Sequence, residues 1–236
     1  MTAGWERLGP GVFRRRLPFL DVTVGVVVGS TGTLLVDAGT TLTEAREIRH
    51  GIAALTSRPV THVLLTHAHF DHVLGSSAFP GAAIYAAPQV AAAMSAGAGH
   101  LRADAIRYGA SAAEVDRAIA ALRQPDQQIR DAAVDLGDRV VRISHPGPGH
   151  TDHDLIAVVA GGAGGAGDRN IVFCGDLVEE SADPAIGTDS DVAGWVATLD
   201  RVLEAGGDDA VFVPGHGAAV GAAFVRGQQR WLRERL

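Results

Sequence analysis

Apolar positions along the chain switch between two periods. Val22, Val24, Val26 and Val28 lie two apart, the spacing of a β-strand. Ser30-Thr31-Gly32 is a turn signal, and Thr33-Leu34-Leu35-Val36 reads as the returning strand of a hairpin ending at Asp37-Ala38-Gly39. Over 41–57 the period lengthens. Leu42, Ala45, Ile48, Ile52 and Leu55 fall three or four apart, as on one face of a helix, and Pro59 stops it. Thr61 to Thr66 predicts a short buried strand that runs directly into His67-Ala68-His69-Phe70-Asp71-His72. A strand is expected near Ala83-Ile84-Tyr85, followed by helices over about 88–96 and 111–123. The stretch between those helices, rich in Gly and Ala and carrying His100, reads as a loop or broken helix that roofs a pocket. Further strands are expected at 140–143, 155–159, 171–174 and 210–213. An amphipathic helix is expected over 191–205, with Asp189 or Ser190 as its N-cap, and a last helix from about 220.

Each half of this order holds strands for a sheet and helices to cover its outer face. It predicts an α/β fold of two packed sheets with helices outside, a four-layer arrangement. The 236 residues suit one domain spanning 1–236, large enough to bury a core without disulfide or metal staples. Any metal is therefore free to be catalytic.

Charge and cysteine content narrow the function. The net charge of −7 disfavours broad binding to a phosphate backbone. Arg14-Arg15-Arg16, the dense basic run, reads as a solvated strand face. The single cysteine, Cys174, rules out an internal disulfide and reads as a buried strand residue. The N-terminus shows no apolar h-region, and no stretch reaches the roughly 18 apolar residues of a spanning helix. The expectation is a cytoplasmic protein with no membrane partner. Gly161 to Gly167 reads as a hairpin loop, because it lacks the Lys-Ser/Thr that follows a phosphate cradle.

Four polar clusters each follow an expected strand: His67-x-His69-x-Asp71-His72, Pro148-Gly149-His150-Thr151, Cys174-Gly175-Asp176 and Pro214-Gly215-His216. Strand ends on one sheet edge can converge on one site. In the first cluster a tight loop can splay the side chains, so that His67 and His69 serve one metal while Asp71 and His72 serve a second. Imidazole and carboxylate ligands suit zinc, and also iron or manganese. His153 is the rival to His150, but the flanking Gly149 and Thr151 favour His150. His145, His100 and Tyr108 are candidate pocket residues.

His67-Ala68-His69-Phe70-Asp71-His72 resembles the H-x-H-x-D-H signature of the metallo-β-lactamase fold superfamily. Val36-Asp37-Ala38-Gly39, Gly149-His150-Thr151, Gly175-Asp176 and Gly215-His216-Gly217 look like the family's other motifs, in family order and over nearly the whole chain. The resemblance implies an αββα sandwich with metal at one edge. It implies two zinc ions, with His67, His69 and His150 on the first, Asp71, His72 and His216 on the second, and Asp176 bridging, as in glyoxalase II. Asp71 would also orient the attacking hydroxide or relay its proton. Asp37 has two readings: a carboxylate that fixes a ligand imidazole or the loop backbone, or a turn cap before Gly39.

The activity this implies is hydrolysis of a carbonyl-type bond in a small molecule, such as a thioester, lactone or amide, by hydroxide bridging two cations. Two other enzyme classes share the fold: a mononuclear iron dioxygenase acting on persulfide, whose iron sits on two histidines and an aspartate, and a metal-dependent phosphodiesterase or nuclease. A non-catalytic binding protein is disfavoured by the full ligand set. Substrate specificity is expected to lie in residues 86–130 and 177–190, and the sequence leaves oligomeric state open.

Overall fold

The computed structural model describes residues 4–96, 98–162 and 169–236. Among them, strands β1 (Trp5–Gly9), β2 (Val12–Arg16), β3 (Thr23–Val28), β4 (Thr33–Val36), β5 (Val60–Leu64), β6 (Ala83–Ala86) and β7 (Gln127–Gln128) form one sheet in that order. β1 to β4 pair antiparallel, and β4 to β7 pair parallel. The second sheet runs β12 (Val211–His216), β11 (Ile171–Glu179), β10 (Ile156–Val159), β9 (Val140–Ser144) and β8 (Asp131–Asp135). Parallel neighbours require crossovers. Helix α1 (Leu42–Leu55) joins β4 to β5. The short α2 (Phe70–Val73) lies between β5 and β6. Helices α3 (Pro88–Ser95), α4 (Gly99–Arg107) and α5 (Ala112–Ala121) lie between β6 and β7, and α6 (Val192–Gly206) joins β11 to β12. Helix α7 (Ala222–Arg233) ends the chain.

Strand period decides the layers. Along β11, Ile171 and Phe173 point into a core shared with Ala45, Ile48 and Val26, while Val172 and Cys174 point into a second core with Trp195, Leu199 and Val225. The second sheet therefore faces the first on one side and α6 and α7 on the other. Buried residues of α1, α3, α4 and α5 join the first core. The result is the four-layer αββα sandwich expected. Gly25 permits close contact of the sheets, since a Cβ there would lie 2.2 Å from the Phe173 ring. Among the described residues no helix is long and apolar enough to cross a membrane.

Several expectations need correction. Residues 99–107 form the continuous helix α4 instead of a loop or broken helix, with Leu101 and Ala105 buried four apart. The glycines at 97 and 99 hid it, because they precede the helix's apolar positions. The N-cap of α6 is Asp191, whose Oδ1 accepts from the Gly194 amide at 2.8 Å, and not Asp189 or Ser190. The basic run is not a uniformly solvated face. Arg14 is buried and donates to the Gly217 carbonyl at 2.8 Å, whereas Arg16 is exposed and pairs with Asp21. Cys174 is buried as expected. The glycine-rich run lies outside the described residues from 163 onward.

Candidate metal centre

The site forms where the C-terminal ends of β4, β5 and β12 meet the second half of β11, which carries Asp176, and the β9–β10 connection, which carries His150. The Leu155 amide donates to the Thr66 carbonyl at 2.8 Å, tying the two sheets together at this edge. Asp37 directly follows β4 and adopts a left-handed backbone (φ 61°) that Asp tolerates better than most residues. This buried carboxylate accepts from the Thr66 amide at 2.9 Å, from the Thr66 hydroxyl at 2.9 Å and from His72 Nδ1 at 2.9 Å. These bonds are those of the first reading: Asp37 orders the ligand loop and holds an imidazole, and they do not cap the turn before Gly39.

After β5 the chain bends at His67 and Ala68, passes His69 in extended backbone and then enters the single helical turn of α2, which carries Asp71 and His72. This change of conformation splays the cluster. One ligand atom each from His67, His69, His150 and Asp176 lies within 4.8 Å of the others, and so do those from Asp71, His72 and His216. Asp176 stands between the groups. Its Oδ2 is 3.5 Å from His150 Nε2 and 3.3 Å from His216 Nε2, and its Oδ1 is 3.2 Å from His72 Nε2. Gly215 leaves room for this carboxylate, since a Cβ there would sit 1.8 Å from Asp176 Oδ1.

Acceptor-only partners fix which imidazole nitrogens carry protons. His150 Nδ1 donates to the Ala185 carbonyl at 3.1 Å, and His216 Nδ1 donates to the Leu20 carbonyl at 2.8 Å. His72 Nδ1 donates to Asp37, and His69 Nε2 donates to Asp189 Oδ2 at 2.9 Å. The Thr66 hydroxyl gives its proton to Asp37, so it accepts from His67 Nδ1 at 3.0 Å. In the neutral form that a metal ligand requires, each ring therefore turns a bare nitrogen inward. His69 Nδ1 and His150 Nε2 face each other at 2.9 Å, and His72 Nε2 and His216 Nε2 at 3.4 Å. His67 Nε2 is buried with no hydrogen-bond partner among the described residues. Converging lone pairs with two carboxylates call for a cation, so the donor set fits a divalent metal site.

Titration behaviour divides nearly the same way, except for His69, where burial is outweighed by the hydrogen bond to Asp189 and by nearby carboxylates that raise it. Burial lowers His150 to about 4 and pushes His67 well below the usual imidazole range. For His72 and His216 burial is outweighed by carboxylates, Asp176 foremost, which raise both; His216 reaches about 10. Burial raises two further carboxylates beside the site. Glu179 rises to about 8, with Asp176 adding to the effect, and Asp154, which accepts from the Thr151 amide and hydroxyl, rises to about 7.

The remaining candidates fall outside both groups. His153 Nε2 accepts from the Ala68 amide at 3.1 Å, so it braces the ligand loop. His145 Nδ1 donates to the Asp154 carbonyl. His100 is exposed on α4. Tyr108 stacks on Phe70 with centroids 5.8 Å apart, forming an aromatic pair next to the ligand turn. The sequence reading missed Thr66, Asp189 and the carbonyls of Leu20 and Ala185. A carbonyl carries no sequence signal, and Asp189 reads locally as a helix cap.

The profile of the Metallo-beta-lactamase superfamily matches residues 17–216. No curated protein matches the chain significantly. Solved structures of similar fold include the protein VMB-1 at pH 5.5 (TM-score 0.71, 16% identity, covering 98% of this chain and 96% of that one). They also include a metallo-beta-lactamase from Pontibacter korlensis (TM-score 0.70, 19% identity, 97% and 98% covered). A third is the metallo-beta-lactamase FIM-1 from Pseudomonas aeruginosa in its mono-zinc form (TM-score 0.70, 19% identity, 98% and 95% covered). The profile match spans most of the chain and contains the H-x-H-x-D-H segment, so this protein belongs to the metallo-β-lactamase superfamily.

Proposed function

We propose that the chain is a dinuclear zinc hydrolase that cleaves a carbonyl-type bond, a thioester, lactone or amide, in a small molecule. The observation that carries this reading is the inward set of imidazole nitrogens on His67, His69, His72, His150 and His216, gathered with Asp71 and Asp176 into two adjoining groups. A single iron on two histidines and one aspartate, in a chain that keeps the other donors, is the alternative that metal content separates from this reading. Net charge of −7 argues against a nucleic-acid substrate.

His67, His69 and His150 would hold one zinc, Asp71, His72 and His216 the other, with Asp176 shared. Bound there, two zinc ions supply Lewis acidity toward a carbonyl oxygen and a nucleophile from water near neutral pH. The residues of the chain do the rest. Asp71, with Oδ2 3.4 Å from His216 Nε2, is the carboxylate placed to take and pass on the proton of the attacking water. Substrate enters where the site meets solvent. The side chain of His69 is 32% exposed and that of His216 13%, whereas those of His67 and His72 are fully covered.

Elemental mass spectrometry of protein expressed with metals supplied evenly tests the reading. About two zinc per chain is the expected result, to be followed by a screen of thioesters, lactones and β-lactams. One iron per chain with little zinc would overturn it in favour of the persulfide dioxygenase.

A further inference from the structure

The segment between β11 and α6 clips onto two ligand imidazoles from outside. The Ala185 carbonyl accepts from His150 Nδ1, and Asp189 Oδ2 accepts from His69 Nε2 at 2.9 Å. Ser190 Oγ donates to the His150 carbonyl at 2.8 Å and itself accepts from the Gly187 amide, and the Asp191 amide donates to the Gly149 carbonyl. The segment is thus anchored on both sides of Asp189 against the loop that carries His150.

His69 differs from its neighbours in two respects. It presents Nδ1 to the site, whereas His67, His72, His150 and His216 present Nε2. It is also the most exposed of the five imidazoles, so packing restrains its ring least. Its ring contacts are edge-on to His67 and His150, at 4.6 and 4.7 Å between centroids, and His150 Nε2, 2.9 Å from His69 Nδ1, is an acceptor that alone would favour a proton on Nδ1. The hydrogen bond to Asp189 acts the other way. A carboxylate only accepts, so it requires a proton on Nε2 and leaves Nδ1 bare.

We propose that Asp189 is the positioning residue that fixes the tautomer and orientation of His69 and so completes the His67–His69–His150 half of the metal centre. This rests on the zinc reading above. An Asn at 189 keeps the volume but can both accept and donate, so it loses the discrimination that a carboxylate imposes.

Asp189→Ala, Asp189→Asn and Asp189→Glu are compared with the parent chain, with Ser190→Ala as a control that removes a loop anchor but keeps the carboxylate. Long-range proton–nitrogen NMR on metal-free protein reads the His69 tautomer, and competition against a chromophoric chelator reads zinc affinity. The expected result is Nε2-protonated His69 in the parent and in Asp189→Glu, and mixed tautomers in Asp189→Ala and Asp189→Asn. The Ala and Asn variants should also show about 10- to 100-fold weaker binding of one zinc. A parent that binds zinc while Asp189→Ala keeps parental affinity and a pure tautomer overturns this inference and leaves the zinc reading standing. A parent that binds no zinc overturns both.

Discussion

The two ligand groups are held by different means. His67 and His150 are anchored by neutral acceptors, the Thr66 hydroxyl and the Ala185 carbonyl, and burial keeps both rings uncharged. His72 and His216 sit among Asp37, Asp71 and Asp176, which overcome burial and raise both. Around His67 and His150 the first group is a neutral nitrogen pocket, with His69 alone backed by a carboxylate, Asp189, whereas the second group is carboxylate-rich throughout. The comparison teaches that similar imidazoles a few ångströms apart take opposite charge preferences from what stands behind them. Asp176, touching both groups, is the residue through which they communicate.

The strongest test removes one group and leaves the other. His67→Ala together with His69→Ala should abolish hydrolysis with the fold retained, since the hydrophobic cores are separate from these side chains. Activity assays with circular dichroism check this, and an active double mutant would sink the site assignment. The residual Asp71–His72–His216 group should still bind one metal equivalent.

Asp37→Ala strikes the second group from behind. It leaves buried donors on Thr66 and His72 without their acceptor, at about 1–3 kcal/mol of stability. Zinc affinity should drop about 10- to 100-fold. Because the Thr66 hydroxyl also accepts from His67, a secondary weakening of the first group is expected. Chelator competition on Asp37→Ala separates the two effects.

Gly215→Ala tests the shared ligand. The new methyl would meet Asp176 Oδ1 and force either the carboxylate or β12 to shift, costing about 1–3 kcal/mol. Denaturant unfolding reads the stability change. Weaker binding of both zinc ions, with neither spared, is the pattern expected of a bridge.

The smallest effect is on pH dependence in chelator-treated protein. His216, raised to about 10 chiefly by Asp176 against the cost of burial, binds a proton in the native state that the unfolded chain releases. Its stabilisation is complete below an ordinary imidazole pKa of about 6.5 and is lost as pH rises toward about 10. His150, lowered to about 4 by burial, has the opposite sign: the stability linked to its neutral form is lost as pH falls from about 6.5 toward that value. Melting temperature against pH should therefore show two limbs. His216→Gln should flatten the alkaline one alone, and an unchanged alkaline limb would refute the carboxylate-rich description.

Legibility varied with how local the information was. The hairpin at β3 and β4, helix α1 and strand β11 were readable, because their apolar periods are set by neighbouring residues. Strands β1, β2 and β8 escaped. β1 and β8 are half-exposed, and β2 carries the basic run, so the apolar signal is diluted. Arg14 looked solvated because its acceptor, the Gly217 carbonyl, lies 203 positions away. Asp189 looked like a helix cap for the same reason: its partner His69 is 120 positions away.

The sequence alone determined most element types, the αββα layering and the chemistry of the donors, because strand period, helix period and side-chain identity are local properties. Only the tertiary structure decided which nitrogen each imidazole turns inward and which rings prefer a charge. Those choices are made by acceptors on Leu20, Asp37, Ala185 and Asp189, which the fold brings to rings mostly far from them in the chain. An imidazole's tautomer follows the hydrogen bond behind it, and that partner exists only once the sheets have packed.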